Sequence, residues 1–332
     1  MTVLIIGKRE FSREKNEKIL QISVVSYAPD FFKKNIYNFG DRRIMKVYYQ
    51  IKRKLKLLRL KFRRLQAARR WGKDALAQAP PVLGFAIPKA GSHLIIQILY
   101  GLTKIGPFVK PGFPPVNRFE DNTKQNEATI LEEIYGMRSG EIRYGYLHPK
   151  EPYLSAITAS GRASIFVYRD PRDQLVSLVF YAKDMQLDHH MHEYFDQVLS
   201  TMEERLNVVI EGSDLPDLLM VNVRERYEDY LGWFERDDVL CLKFEDLILD
   251  QENTLGKLLD YIDSFGVSLS VSRQEAIEVL SDAVKPKNSG TFRKGQPGDW
   301  KNHFTEDNKR RFKAVAGDLL SRLGYEDNDQ DW

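Results

Sequence analysis

The sequence lacks the features that mark secreted and membrane-spanning proteins. Among its 332 residues there is one cysteine, Cys241, so no disulfide can form within the chain and nothing indicates an oxidising compartment. No apolar run approaches the ~20 residues that span a bilayer. The apolar residues 3–6 are too few for a signal peptide. A cytoplasmic protein is therefore expected.

The Walker A signature of nucleotide-binding proteins, GxxxxGK[ST], is also missing, but a related arrangement is present. An apolar run at 82–87 predicts a buried strand, and the apolar spacing over 94–104 predicts a helix. Between them lies the turn 88–93, with the sequence PKAGSH. A strand, a glycine-containing turn and a helix present backbone N–H groups to an anion, and Lys89 and Ser92 add a cation and a hydroxyl. The alternative is an ordinary turn that happens to contain a lysine.

Acidic residues are absent from residues 42–73, which contain fourteen lysines and arginines. Apolar residues recur there in alternating steps of four and three, at Ile44, Tyr48, Ile51, Leu55, Leu58, Phe62 and Leu65. This spacing predicts one long basic amphipathic helix with a coiled-coil-like seam. The seam either packs on the main domain or lies on an anionic membrane or acidic partner. Nucleic-acid binding is not expected, because no recognised nucleic-acid-binding fold accompanies the helix.

The rest of the chain alternates predicted strands and helices. Strands are predicted at 82–87, 143–149, 164–168 and 239–244, and helices at 94–104, 124–137, 174–185, 190–211, within 216–236, and at 253–265. Apolar, non-alternating strands joined by helices favour a parallel sheet covered on both faces. Ligands of such sheets bind beyond the carboxyl ends of the strands. Lys89, His148 and Arg169 each follow a predicted strand, so we expect them to converge.

Four segments together resemble the sulfotransferase family, especially its soluble members that use 3′-phosphoadenosine 5′-phosphosulfate (PAPS). They are 88–93, 168–177 (YRDPRDQLVS), 239–247 (VLCLKFEDL) and 292–302 (FRKGQPGDWKN), in the family's order and with similar spacing. The resemblance implies a P-loop NTPase-like α/β fold, with a parallel sheet flanked by helices and preceded by a basic helical N-terminal arm. The predicted parts are an N-terminal extension over 1–80, a sulfotransferase domain over 81–325 and an acidic tail over 326–332, which is expected to fray.

The resemblance also implies the reaction and the donor-binding residues. A sulfuryl group would pass from PAPS to a hydroxyl or amine acceptor, leaving adenosine 3′,5′-bisphosphate (PAP), with no metal required. PAPS carries a 5′-phosphosulfate and a separate 3′-phosphate, so it needs two anion sites, for which guanidinium groups are well suited. The implied binding residues are Lys89, Ala90, Gly91, Ser92, His93, Arg169, Ser177, Phe244, Arg293, Lys294 and Gly295. Phe244 is included for adenine, because Leu94 stands where the family often has an aromatic residue. For Arg169, the alternative is an ion pair with Asp170 or Asp173.

The implied catalytic residues are Lys89 and His148. Lys89 would stabilise charge developing on the leaving phosphate, and His148 would take the proton of the acceptor. Without the resemblance, His148 would be interpreted as an ordinary loop residue. Residues 188–193 (DHHMHE) look like a metal-ligand cluster, but no matching ligand pair occurs elsewhere, and a lid on the acceptor side is favoured.

The acceptor is expected to be a small molecule, a glycan or a lipid, and residues 42–73 are a candidate peripheral membrane contact. The segments that would shape its pocket, 106–142 and 180–215, carry no family signature. Two rival functions are considered. A nucleotide-dependent kinase of P-loop type is disfavoured by the missing Walker A order and by the second anion site. A non-catalytic, membrane-associated adaptor with a vestigial nucleotide domain is disfavoured by the presence of Lys89, His148 and Arg169 together.

Overall fold

A sheet of four parallel strands forms the centre of the fold. The computed structural model describes residues 42–119, 123–285, 295–327 and 332. The strands are β1 (Val82–Ala86), β2 (Ile142–Gly145), β3 (Ala163–Tyr168) and β4 (Val239–Lys243), in the spatial order β2-β1-β3-β4. Every residue of β1 and β3 is buried, which explains why their sequences are continuous apolar runs. The predicted parallel sheet is confirmed.

Helices cover both faces of this sheet. They are α1 (Arg42–Trp71), α2 (Lys73–Gln78), α3 (Ser92–Ile105), α4 (Glu127–Tyr135), α5 (Tyr153–Ile157), α6 (Pro171–Phe180), α7 (Met202–Glu211), α8 (Val223–Leu231), α9 (Asp246–Leu249), α10 (Gln251–Asp263), α11 (Arg273–Ala283), α12 (Glu306–Ala316) and α13 (Leu319–Arg322). Helices α3, α10 and α11 enclose one apolar core, and α6, α7, α8 and α12 enclose the other. The sheet is thus covered on both faces, as predicted.

Two helix boundaries differ from the predictions because capping residues determine them. Helix α6 begins three residues before the predicted start, since the Asp170 side chain accepts the N–H of Arg172 and Pro171 occupies the first turn. The single helix predicted over 190–211 is wrong. A π-helical turn, Tyr194–Val198, ends at an extended Leu199, and α7 starts after a capping box formed by Thr201 and Glu204.

Helix α1 confirms the predicted long basic helix and ends at Gly72, whose φ of 88° favours glycine. The chain separates into two compact units, 1–57 and 58–332, and the C-terminal part of α1 belongs to the larger one. There, Leu60, Ala67 and Trp71 pack in a small core. None of the described helices is long and apolar enough to cross a bilayer.

The packed face of α1 is not the predicted seam. In the larger unit the seam residues Leu58, Phe62 and Leu65 are 59%, 59% and 58% exposed. Arg64, on the packed side, donates to the carbonyl of Ser139 at 2.7 Å. The expectation that the seam packs on the main domain is therefore wrong for these three residues.

Candidate active site

The turn between β1 and α3 has the backbone geometry of an anion cradle. Lys89 has a φ of 67° and Gly91 a φ of 106°. Among the described residues other than glycine, Lys89 alone has a positive φ. The first N–H groups of a helix have no acceptor within it; in α3 the carbonyl of Gly91 takes up the N–H of Leu94 at 2.9 Å, which leaves those of Ser92 and His93 for a ligand. A Cβ on Gly91 would lie 2.8 Å from a ring carbon of Phe244, so both the space and the backbone conformation require glycine. The Gln174 side chain donates to the carbonyl of Pro88 at 2.9 Å and braces the turn.

The Lys89 ammonium lies in a crowded, electropositive position. Its Nζ atom is 3.7 Å from the centre of the Tyr181 ring, a cation–π contact. Burial, and then repulsion from Arg169, lower the pKa of Lys89 to about 8. Burial and the same ammonium also lower the pKa of His93. Negative charge bound beside Lys89 and beside Arg169 would offset this repulsion.

Arg169 follows β3 and links the predicted donor-binding segments. Its guanidinium stacks on the ring of Phe244 at 4.4 Å, and its Nη2 lies 3.4 Å from the carboxylate of Asp173. The ion pair between Arg169 and Asp173, which was the alternative to phosphate binding, is thus present, but its N···O distance is long. Asp173 also accepts the N–H groups of Gly298 and Trp300, both at 2.8 Å. The Nε of Arg169 is buried and has no hydrogen-bond partner in the described part of the chain. Arg169 therefore keeps donor capacity for an anion.

His148 follows β2 in a pocket of aromatic rings. Its ring meets those of Tyr153 and Tyr230 edge-on, at 5.5 and 6.4 Å between centroids. Its Nδ1 is buried without a hydrogen-bond partner among the described residues. Two residues earlier, the hydroxyl of Tyr146 donates to Oγ of Ser92 at 3.2 Å. The loop of His148 is thus tied to the anion cradle.

The other predicted residues are placed as follows. Ala90 is fully buried, so only its backbone can face a ligand. Ser177 lies on α6, two turns after Arg169. Gly295, with a φ of 62°, begins the segment that continues to Gly298. Arg293 and Lys294 lie outside the described residues. Leu94 is 4% exposed and belongs to the core.

Two tyrosines at this site, and one role of Asp173, were missed by the sequence analysis. Tyr181 contacts Lys89, Tyr146 binds Ser92, and Asp173 holds the segment 298–300 beside Arg169. Asp173 was named only as an alternative ion-pair partner of Arg169, and its contacts with the N–H groups of Gly298 and Trp300 were not foreseen. Nothing in the sequence marks the two tyrosines, because their contacts join residues far apart in the chain.

The histidine cluster lies close to the cradle. Burial, followed by repulsion from His190 and Lys89, lowers the pKa of His189 to about 4. The rings of His189 and His190 are 4.5 Å apart, and Tyr181 meets His189 edge-on. Across the described ranges, no three His, Cys, Asp or Glu side chains are arranged to hold a metal ion. The interpretation of this cluster as a lid on the acceptor side stays a prediction.

Comparison with known proteins decides the family. A model of the sulfotransferase domain matches residues 80–324, more than half of the chain. The chain belongs to the sulfotransferase family. This sulfotransferase is 26% identical over 257 residues to sulfotransferase 2A6 of Mus musculus, covering 70% of this chain and 81% of the relative. It is 24% identical over 208 residues to the 3-alpha-hydroxysteroid sulfotransferase of Cavia porcellus, covering 58% and 67%.

Among solved structures, mouse sulfotransferase SULT7A1 complexed with PAP has a similar fold. The TM-score is 0.52 at 15% sequence identity, and the match covers 76% of this chain and 88% of that chain. The predicted family, enzyme class and P-loop-like α/β fold are thereby confirmed. The roles of individual site residues stay predictions.

Proposed function

We propose that this sulfotransferase uses PAPS as its donor and transfers the sulfuryl group to a hydroxyl or amine of a small-molecule acceptor. Bound PAPS supplies a sulfuryl group attached to a phosphate leaving group. The observation that carries the proposal is the convergence of Lys89 and Arg169 at one edge of the sheet, where their repulsion helps to lower the pKa of Lys89 to about 8. The solved complex of SULT7A1 with PAP supports the choice of donor.

The residues present fit such a donor. The first-turn N–H groups of α3, Gly91, Ser92 and the Lys89 ammonium would hold the 5′-phosphosulfate. Arg169, with its unpartnered buried Nε, would bind the 3′-phosphate, together with Ser177 and the predicted residues Arg293, Lys294 and Gly295. Phe244 would offer a ring face to adenine, although its ring also carries the Arg169 guanidinium.

The catalytic roles follow from the same geometry. Lys89 would stabilise the charge that develops on the leaving phosphate oxygen, because its ammonium lies beside the cradle in a partly dehydrated position. His148 would accept the acceptor's proton, since its loop is joined to the cradle through Tyr146 and Ser92. Little covalent work is required of the protein, so positioning and charge stabilisation dominate.

The donor assignment predicts a preference for PAP over ADP. PAP retains a 3′-phosphate that ADP lacks, and a charge-assisted phosphate contact contributes ~1.5–3 kcal/mol. We therefore expect PAP to bind about tenfold to a hundredfold more tightly in titration calorimetry. Equal affinities would contradict the donor assignment and favour the kinase. Mass detection of an acceptor gaining SO₃ in the presence of PAPS would exclude the adaptor.

We further propose that α1 contacts an anionic membrane, which would place a lipid among the candidate acceptors. Leu58, Phe62 and Leu65 form an exposed apolar stripe on a helix segment with many basic and no acidic residues. Such a helix binds at the surface of anionic bilayers by apolar burial and by attraction to the headgroups. The relative named for a hydroxysteroid supports an apolar acceptor with a hydroxyl group.

The membrane proposal predicts a loss of vesicle binding in the triple variant L58Q/F62Q/L65Q. Burial of each such side chain contributes ~1.5–3 kcal/mol at most, so binding to vesicles of phosphatidylserine and phosphatidylcholine should fall at least about tenfold. Co-sedimentation of the full chain measures this effect. The matched control is L219Q/L249Q, since Leu219 and Leu249 are also exposed but lie outside α1. Equal binding by the triple variant and the unaltered protein would refute the contact.

A further inference from the structure

Arg172 is enclosed beside the donor-binding segment, although no proposed role uses it. Its guanidinium lies between the rings of Trp300, at 4.0 Å, and Trp332, at 4.5 Å. It forms ion pairs with Asp170 at 2.7 Å and with Glu326 at 2.5 Å. The side chain is 3% exposed. Trp300, Trp332, Asp170 and Glu326 thus form a cage around the Arg172 guanidinium. The cage joins parts of the chain that are far apart in sequence.

Trp332 is the outer wall of this cage. Its ring meets Trp300 and Phe312 edge-on, both at 5.4 Å, and the Lys313 ammonium lies 5.1 Å from its centre. The expectation that the acidic tail frays is therefore wrong at Trp332. Aromatic and cation–π contacts hold Trp332 in place. These contacts could not be predicted from the acidic composition of segment 326–332.

Residues that precede Trp332 in the chain, Gly324 and Tyr325, form hydrogen bonds at the carboxyl edge of the sheet. The Tyr325 hydroxyl donates to the Glu245 carboxylate at 2.7 Å, and Glu245 accepts the N–H of Asp170 at 3.1 Å. Lys243, at the end of β4, donates to the carbonyl of Gly324 at 2.6 Å. Segment 324–327 thus runs along the strand ends next to Arg169.

The cage lies beside the backbone that follows Gly295, one of the residues proposed to bind the donor's 3′-phosphate. The Trp300 N–H is bound by Asp173, which also contacts Arg169, and the Trp300 ring contacts both Arg172 and Trp332. Movement of Trp300 would shift the backbone that leads back to Gly295. Through its contact with Trp300, Trp332 therefore restricts this backbone relative to Arg169.

We propose that Trp332, acting through Trp300 and Arg172, is a positioning residue for recognition of the donor's 3′-phosphate. The inference rests on the proposed function for the identity of the donor. Backbone that is held in place before binding loses less entropy when the phosphate binds, so Trp332 strengthens donor binding rather than the chemical step. Its removal should raise KM for PAPS and leave kcat at saturating PAPS unchanged.

The test compares two ligands that differ only by the 3′-phosphate. In titration calorimetry, Trp332→Ala should bind PAP about tenfold more weakly than the unaltered protein does. Its affinity for AMP, which lacks the 3′-phosphate, should not change, and this also reports that the variant is folded. Trp332→Phe keeps an aromatic face for Arg172 and should retain most of the PAP affinity.

The matched control is Trp71→Ala. Trp71 also carries an arginine, Arg70, over its ring at 4.4 Å, but it is the last residue of α1 and packs in the small core of that helix. Its substitution should leave the ratio of PAP to AMP affinity unchanged. If Trp332→Ala does not fold, Trp332→Leu, which is apolar but has no aromatic face, takes its place.

Three outcomes would overturn the proposal, and they are distinguishable. If the unaltered protein prefers PAP to AMP and the Trp332 variant shows the same preference, the positioning role is wrong and the donor assignment stands. If the unaltered protein shows no preference for PAP, the donor assignment is wrong and the positioning role falls with it. Equal losses of PAP and AMP affinity would indicate a merely structural effect and also count against the positioning role.

Discussion

Substitution of Lys89 by methionine is expected to lower kcat about a hundredfold to a thousandfold, the usual loss when a preorganised group that stabilises transition-state charge is removed. Methionine keeps the length of the side chain but cannot stabilise negative charge on the leaving phosphate. Because burial disfavours the charged form of Lys89, the neutral side chain should not lower Tm. Steady-state kinetics with PAPS and a hydroxyl acceptor, together with thermal denaturation, measure both effects.

The pH profile provides a second readout for Lys89. Its pKa is lowered to about 8, so the free enzyme loses the ammonium as the pH rises through that value. We expect kcat/KM to fall above about pH 8, by about tenfold per pH unit. In the donor-bound enzyme the anion favours the ammonium, so the fall in kcat should occur at higher pH. Lys89→Met should lack this dependence.

The control for Lys89 is Lys104→Met, the same substitution on the exposed C-terminal end of α3, where no change in kcat is expected. A methionine variant of Lys89 with the kcat of the unaltered protein would refute its catalytic role. So would a kcat/KM that stays constant from about pH 7 to about pH 10.

Substitution of His148 by glutamine is expected to lower kcat for an alcohol acceptor by about a hundredfold or more, because general-base catalysis contributes ~10²–10⁴. Glutamine keeps polar atoms next to Tyr153 and Tyr230 but cannot take a proton. The affinity for PAP should stay the same, since the aromatic pocket of His148 is separate from the contacts of Arg169. Calorimetry with PAP and kinetics on the same preparation measure both.

The acceptor itself supplies the control for His148. A nitrophenol ionises readily and needs little help from a base, so the variant should lose much less activity with it than with an aliphatic alcohol. Equal losses with both acceptors would indicate that His148 only supports the loop. An unchanged kcat with the alcohol would exclude it as the base.

Local sequence patterns determined much of this protein. The buried runs of β1 and β3, the turn at 88–93 and the long basic helix α1 follow from periodicity and turn residues, which act between neighbours in the chain. The four family segments led to the sulfotransferase family. The boundaries of α6 and α7 depend on single capping side chains, which periodicity does not register. The predicted domain bounds stay predictions.

Only the tertiary structure decided which surfaces and side chains meet. Helix α1 carries two apolar faces. The buried face is the one that packs against Leu76 and Val109, and the predicted seam is the exposed one. Tyr181 reaches Lys89, and Trp332 closes the cage of Arg172, through contacts between residues far apart in the chain. Such contacts depend on how the elements pack, which no short stretch of sequence encodes by itself.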